Sequence, residues 1–258
     1  MKLTFLGTSA AWPSGRHNNV CFVAHSDEAV LFDCGPSILY QLARAEIDPA
    51  GIRTAIVSHI HGDHSLGIPM LILSGLIGRR SGRLTICLPE SAIEPMKGIC
   101  TTVYPFMGEF MQSTVEWVPL AEKQSAVLSL SGGLQVRTTL ADHGVPVVSS
   151  HVSFPRQGRT LAFSGDTAYC ERVAYNAEGV DLLVHESNWS VSLGTRTGLG
   201  HSTAQEAGRI AALANAKRLA LVHTDRELAG RERELEAEAA AEFEGDVLAP
   251  TDFTTIDL

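Results

Sequence analysis

No apolar run in this 258-residue chain approaches the length of a bilayer span, and no cysteine stands in a Cys-x-x-Cys pair. The first absence gives no helical membrane anchor to argue from. The second, with five widely spaced cysteines (Cys21, Cys34, Cys87, Cys100 and Cys170), points away from a disulfide framework or a thiolate zinc site and toward buried free thiols. The run Leu3–Leu6 is too short to be a signal-peptide core, so a cytoplasmic protein is expected. An excess of basic charge is also missing: the formal net charge is −9, which argues against a generally nucleic-acid-binding surface. Seven glutamates against Arg231 and Arg233 between Glu227 and Glu244 place over half of that excess on one solvated helix, which leaves room for a positive patch elsewhere.

Tandem repeats and low-complexity linkers are absent too, and 45% hydrophobic content suits one compact domain over residues 1–258. Short β-branched and apolar runs predict strands over Lys2–Leu6, Val20–Ala24, Ala29–Asp33, Thr54–Ser58 and Leu84–Leu88. In the second half they predict strands over Ser113–Pro119, Ala126–Leu130, Leu134–Ala141, Val147–Phe154, Arg159–Ser164, Asp181–His185 and Lys217–His223. Helices are expected after Pro36, with Leu39, Leu42 and Ala43 inward, over Leu66–Ile77, and between Ser91 and Met111 with a break near Pro105. A further helix, Thr203–Ala214, opens on a Thr203/Glu206 capping signal. The last carries Leu228, Leu235, Ala239 and Phe243 on one stripe. Strands first and helices interleaved in each half fit an α/β fold of two sheets packed face to face with helices outside.

The chemistry concentrates in Val57-Ser58-His59-Ile60-His61-Gly62-Asp63-His64. Three imidazoles and a carboxylate fall within six residues at the end of a predicted strand. His59 and His61, two apart, can approach one metal, while Asp63 and His64 turn away at Gly62 toward a second. Neutral imidazole and carboxylate oxygen are donors that zinc accepts, and adjacent open sites are what a two-metal hydrolase needs. Four ligands cannot fill two tetrahedral shells, so others must come from afar.

This pattern resembles the signature of the metallo-β-lactamase fold superfamily. Phe5-Leu6-Gly7-Thr8-Ser9-Ala10, Leu31-Phe32-Asp33-Cys34-Gly35 and Phe163-Ser164-Gly165-Asp166-Thr167 look like its ribonuclease Z branch, as do Leu183-Val184-His185-Glu186, Gly200-His201-Ser202-Thr203-Ala204 and Leu221-Val222-His223. The resemblance implies a four-layer αββα sandwich with two metal ions at one sheet edge. It implies that His143 joins His59 and His61, that Asp166 bridges, and that His223 joins Asp63 and His64. It gives His201 the role of general acid at a scissile phosphate, supported by Glu186, with Asp63 orienting the nucleophile or taking its proton. Asp33 is expected to hydrogen-bond within the metal-site loops; His185 is read as outer-layer or structural, and His17, His25 and His151 as structural.

The chain departs from that branch in two respects: Thr224-Asp225-Arg226 after the last expected ligand lacks the branch's usual aromatic, and the stretch that would carry its arm is short. Only 22 residues separate His143 from Asp166, enough for a hairpin and not for the arm that clamps transfer RNA in the branch. The expectation is a dinuclear zinc phosphodiesterase, with manganese or iron suiting the same donors. Its substrate would be a small or nucleotide-type diester, with RNA left open, transfer RNA 3′ processing the nearest alternative and a homodimer allowed. Hydrolysis of esters, lactones, thioesters or sulfate esters, iron-based redox chemistry, and a non-catalytic metal-binding module are the remaining readings. The loop Arg79-Arg80-Ser81-Gly82-Arg83 is either a phosphate contact or a solvated turn.

Overall fold

The computed structural model describes residues 1–123, 125–194 and 200–258. The first half of the chain forms β1 (Lys2–Gly7), β2 (Cys21–His25), β3 (Ala29–Phe32), α1 (Ile38–Arg44), β4 (Ile52–Ile56), α2 (Gly62–Ser65), α3 (Ile68–Ile77), β5 (Leu84–Pro89), α4 (Glu90–Val103), α5 (Met107–Thr114) and β6 (Val115–Leu120). The second forms β7 (Ala126–Ser129), β8 (Gln135–Leu140), β9 (Val148–Phe154), β10 (Arg159–Phe163), α6 (Glu171–Asn176), β11 (Leu182–Glu186), α7 (Ala204–Leu213), β12 (Arg218–Val222), α8 (Glu232–Ala240), β13 (Asp246–Leu248) and β14 (Thr255–Asp257).

The strands build two seven-stranded sheets, ordered β14-β1-β2-β3-β4-β5-β6 and β13-β12-β11-β10-β9-β8-β7. In each, antiparallel neighbours on one side give way to parallel ones: β3 pairs parallel with β4, and β10 with β11. Parallel strands need crossovers, and the helices supply them. Three apolar layers follow. Phe5, Phe22, Phe32, Val152 and Phe163 lie between the sheets; the Phe22 ring stacks on Phe32 at 4.6 Å and meets Phe163 of the other sheet edge-on at 5.2 Å. Such pairs add about 0.5–1.5 kcal/mol to the burial itself. Ile38, Leu71, Ile93 and Met107 pack α1, α3, α4 and α5 on the first sheet, and Val173, Ile210 and Leu235 pack α6, α7 and α8 on the second. The result is the expected αββα sandwich. None of the described helices is long and apolar enough to cross a membrane.

Several boundaries differ from expectation for identifiable reasons. On α1 Ile38, Gln41 and Leu42 are buried and Leu39 packs partly buried against the core, whereas Ala43 is exposed. The helix is turned because the buried Gln41 amide donates to the Asn19 carbonyl at 3.2 Å, a bond that hydrophobic spacing cannot reveal. β4 stops at Ile56, two residues early, and Asp63 and His64 ride on the helical turn α2 rather than an open loop. Pro95 stays inside α4, at the cost of one intrahelical bond. The apolar series continues beyond the core, since Val103 and Phe106 are exposed. α7 begins with the Thr203/Glu206 capping box that the sequence predicts.

Candidate metal centre

Loops leaving the same end of both sheets carry the polar residues together. β4 leads into Ser58, His59 and His61 and then α2; β8 leads to His143, β10 to Asp166, β11 to Glu186 and β12 to His223. Several of these exits need left-handed backbone. Asp33, Gly165 and His223 have φ of 55°, 61° and 56°, a conformation costing roughly 1–2 kcal/mol at the two non-glycine positions. At Gly165 a Cβ would also press on Val147 and Ser58 at 2.7 and 2.9 Å. Gly35 lies so close to the Asp63 carbonyl that no side chain fits. The sheets are joined beside the site: the Val148 amide donates to the Ser58 carbonyl at 3.0 Å, and the Thr224 amide to the Thr8 carbonyl at 3.1 Å.

All seven residues expected as ligands meet. Donor atoms of His59, His61, His143 and Asp166 lie within 4.8 Å of one another, and so do those of Asp63, His64 and His223. Asp166 touches both groups. Its Oδ2 is 3.7 Å from His59 Nε2 and 3.4 Å from His64 Nε2, and its Oδ1 is 3.4 Å from His223 Nε2. Asp63 Oδ2 lies 3.1 Å from His64 Nε2 and 3.5 Å from His223 Nε2. His59 and His64 are buried, while His61 and His143 are partly open, so one side of the cluster faces solvent.

Hydrogen bonds behind the cluster fix which ring nitrogen faces it. His64 Nδ1 donates to Asp33 Oδ2 at 2.6 Å, His143 Nδ1 to the Gly200 carbonyl at 2.8 Å, and His59 Nδ1 to Ser58 Oγ at 3.0 Å. Each bond leaves Nε2 to the interior, the arrangement by which proteins orient metal-binding imidazoles. Asp33 is held in turn by the Ser58 amide at 2.7 Å and the Ser58 hydroxyl at 3.1 Å. Burial drives His59 well below its ordinary pKa, so the ring is neutral. Burial raises Asp166, but His223 and His64 outweigh it and hold the carboxyl well below its usual range. His59 Nε2 and Asp166 Oδ1 are buried without a hydrogen-bond partner among the described residues, and orphaned atoms of this kind call for an ion or water. The donor set therefore fits a pair of divalent cations.

Asp33→Ala tests this support. The variant should lose roughly 10–100-fold in metal affinity or activity while remaining folded; competition with a chromophoric chelator measures the affinity. Wild-type affinity in the variant would contradict the role.

His201 and Glu186 stand beside the cluster. His201 Nδ1 donates to Glu186 Oε1 at 2.8 Å. The buried Glu186 carboxylate also accepts the amides of Thr167 at 2.7 Å, Ser202 at 3.1 Å and Asn188 at 3.2 Å. Burial lowers the His201 pKa, yet the bond to Glu186 more than compensates and the net shift is upward. His185 lies outside this group: fully buried, it donates Nδ1 to the Glu186 carbonyl at 2.7 Å. His17, His25 and His151 are occupied by Thr8, Thr4 and the Asn176 carbonyl respectively, away from the cluster.

In the arginine loop two of the three guanidinium groups are held by backbone carbonyls, while Arg79 is exposed. Arg80 donates to the carbonyls of Pro49, Ala50 and Ile52, and Arg83 to that of Val115. It follows the far end of α3, whose ten residues span about 15 Å. Ser58 went unremarked in the sequence because a lone serine carries no signal of its own.

Two facing sheets closing on a His/Asp cluster of this composition define a metal-dependent hydrolase. The particular family follows from comparison: residues 28–224 match the family described as a beta-lactamase superfamily domain, and the chain belongs to it. The chain is 31% identical to a ribonuclease BN of Cronobacter sakazakii over 303 aligned positions, covering 99% of each chain. It is 29% identical to a ribonuclease Z of Natronomonas pharaonis over 307 positions, covering 100% of this chain and 98% of the relative. Both alignments are longer than the 258 residues here, so each relative has residues without a counterpart. Among solved structures, the metallo-beta-lactamase fold protein YhfI of Bacillus subtilis superposes with a TM-score of 0.81 at 23% identity, covering 99% of this chain and 98% of that one.

Proposed function

We propose that the chain is a two-zinc phosphodiesterase acting on small, nucleotide-type diesters. The observation that carries this reading is that Asp166 turns its oxygens to His59 on one side and to His64 and His223 on the other, with the His201–Glu186 pair alongside. In this reading His59, His61, His143 and Asp166 would hold one ion, and Asp63, His64, His223 and Asp166 the other. When bound, such a pair lowers the pKa of water and neutralises the attacking and departing oxygens of an in-line displacement.

The chain's own residues do the rest. Asp63 orients the nucleophile and takes its proton. His201, with Nδ1 committed to Glu186, presents Nε2 to the leaving oxygen and protonates it. Glu186, anchored by three amides, fixes the ring's direction and favours its protonated form. A cytoplasmic setting accords with the five free, buried thiols, which a reducing compartment preserves.

The names of the relatives favour a second reading, transfer RNA 3′ processing. Against it stand two features. Between His143 and Asp166 the chain makes only the β9–β10 hairpin, turning within 155–158, and Arg80 and Arg83 are committed to carbonyls. A long polyanion would find little remote grip, and binding without one is readily screened by salt. At physiological ionic strength kcat/KM should be higher on a small diester than on precursor transfer RNA. Direct competition decides: accurate 3′ cleavage of precursor transfer RNA that outcompetes every small diester would replace this reading with the RNA-processing one.

A further inference from the structure

A second recess opens beside the metal centre. Trp12, Trp189, Leu193, Gly194, Asp225 and Arg226 line a cleft of about 460 Å³, within the size range of small-molecule sites. Both walls lead to the chemistry. Trp189 meets His201 edge-on, with ring centroids 6.4 Å apart. On the other side Asp225 and Arg226 follow His223 and Thr224 directly, and the Ala10 amide donates to the Thr224 carbonyl at 3.0 Å, tying the segment before Trp12 to the same turn.

Trp12 is 70% exposed, an unusual position for the largest apolar side chain. The Arg226 guanidinium lies 3.7 Å from its ring centroid, close enough for a cation–π contact that stiffens a flat shelf. The rim charge is mixed: Arg226 is flanked by Asp225 and Glu227, and the cleft is lined by all three. Among the described lining residues the carboxylates of Asp225 and Glu227 outnumber the one guanidinium, a margin that accepts N–H donors. An aromatic platform with carboxylates at its margin fits a planar base carrying an exocyclic amino group, because stacking is available to any base and the carboxylates reward the amine.

We propose that this cleft is a nucleobase subsite, taking the base of a nucleotide diester and preferring adenine or cytosine over uracil. The proposal rests on the phosphodiesterase reading for its substrate but is tested by binding. Metal-replete protein would be titrated with 5′-AMP, 5′-UMP and ribose 5-phosphate, for the wild type, Trp12→Phe and Trp12→Ala, with calorimetric detection. The wild type should bind 5′-AMP roughly 10-fold or more tightly than ribose 5-phosphate, as expected for one stacked base, with 5′-UMP between them. Trp12→Ala should bring 5′-AMP within about threefold of the sugar phosphate, and Trp12→Phe should retain much of the preference, on the same stacking scale.

Equal binding of 5′-AMP and ribose 5-phosphate, or an undiminished preference in Trp12→Ala, would overturn the subsite. Equal binding of 5′-UMP and 5′-AMP would overturn the amino-group preference. Hydrolysis of methyl p-nitrophenyl phosphate by the wild type, measured in parallel, reports on the catalytic reading separately. Turnover of that diester without base preference sinks the subsite alone; base preference without turnover of any diester sinks the catalytic reading alone.

Discussion

Asp166→Ala should cost the centre at least one of its metal ions and lower turnover by roughly 10³-fold or more, because two-metal charge stabilisation is worth several kcal/mol and each 1.36 kcal/mol is tenfold in rate. Asp166 is the residue with oxygens toward both groups, 3.4 Å from His64 and from His223 and 3.7 Å from His59. Its loss would remove one of the two carboxylates of the donor set, and Asp63 alone with the neutral imidazoles does not offset that charge. Elemental analysis should fall from about two transition-metal ions per chain, the number a site of this kind holds, to one or fewer. Two ions and wild-type turnover in the variant would refute the bridging assignment.

The second large effect is expected at His201. His201→Ala should keep both metals and lose roughly 10²–10⁴-fold in kcat, the range for a positioned general acid. The loss should be greatest on alkyl diesters, whose leaving oxygen needs the proton, and least on aryl ones. The pH profile carries the sign: Glu186 raises the His201 pKa above its ordinary value, so the acid form persists to higher pH than an unperturbed histidine would allow. Wild-type activity on alkyl diesters should decline as pH rises through that raised pKa, and the variant should lack this limb. Equal losses on both diester types would remove His201 from the role.

His143, Asp166 and His223 were legible through the family resemblance, and the apolar runs of β8, β10 and β12, each with a donor just past its last rung, supplied local support. The capping box of α7 was legible from its own residues. Less visible were features set by distant contacts. Gln41 turns α1 through a bond to Asn19, and neither position betrays it alone. Short α6 at Glu171–Asn176 and the edge strands β13 and β14 lacked enough periodicity to register. The arginine loop looked like a basic patch because composition does not say that Arg80 is spent on three carbonyls.

Placing the donors on both sheets has a consequence for biosynthesis. His59, His61, Asp63 and His64 emerge from the ribosome early, but neither proposed set closes until sheet-two residues arrive, the last of them His223 in a chain of 258. Moreover β14 (Thr255–Asp257) returns to pair with β1, so the first sheet is also unfinished until those residues have been made. A half-made chain thus offers only a fragmentary coordination sphere. Acquisition of hydrolytic competence becomes a late checkpoint, passed when the two halves have docked.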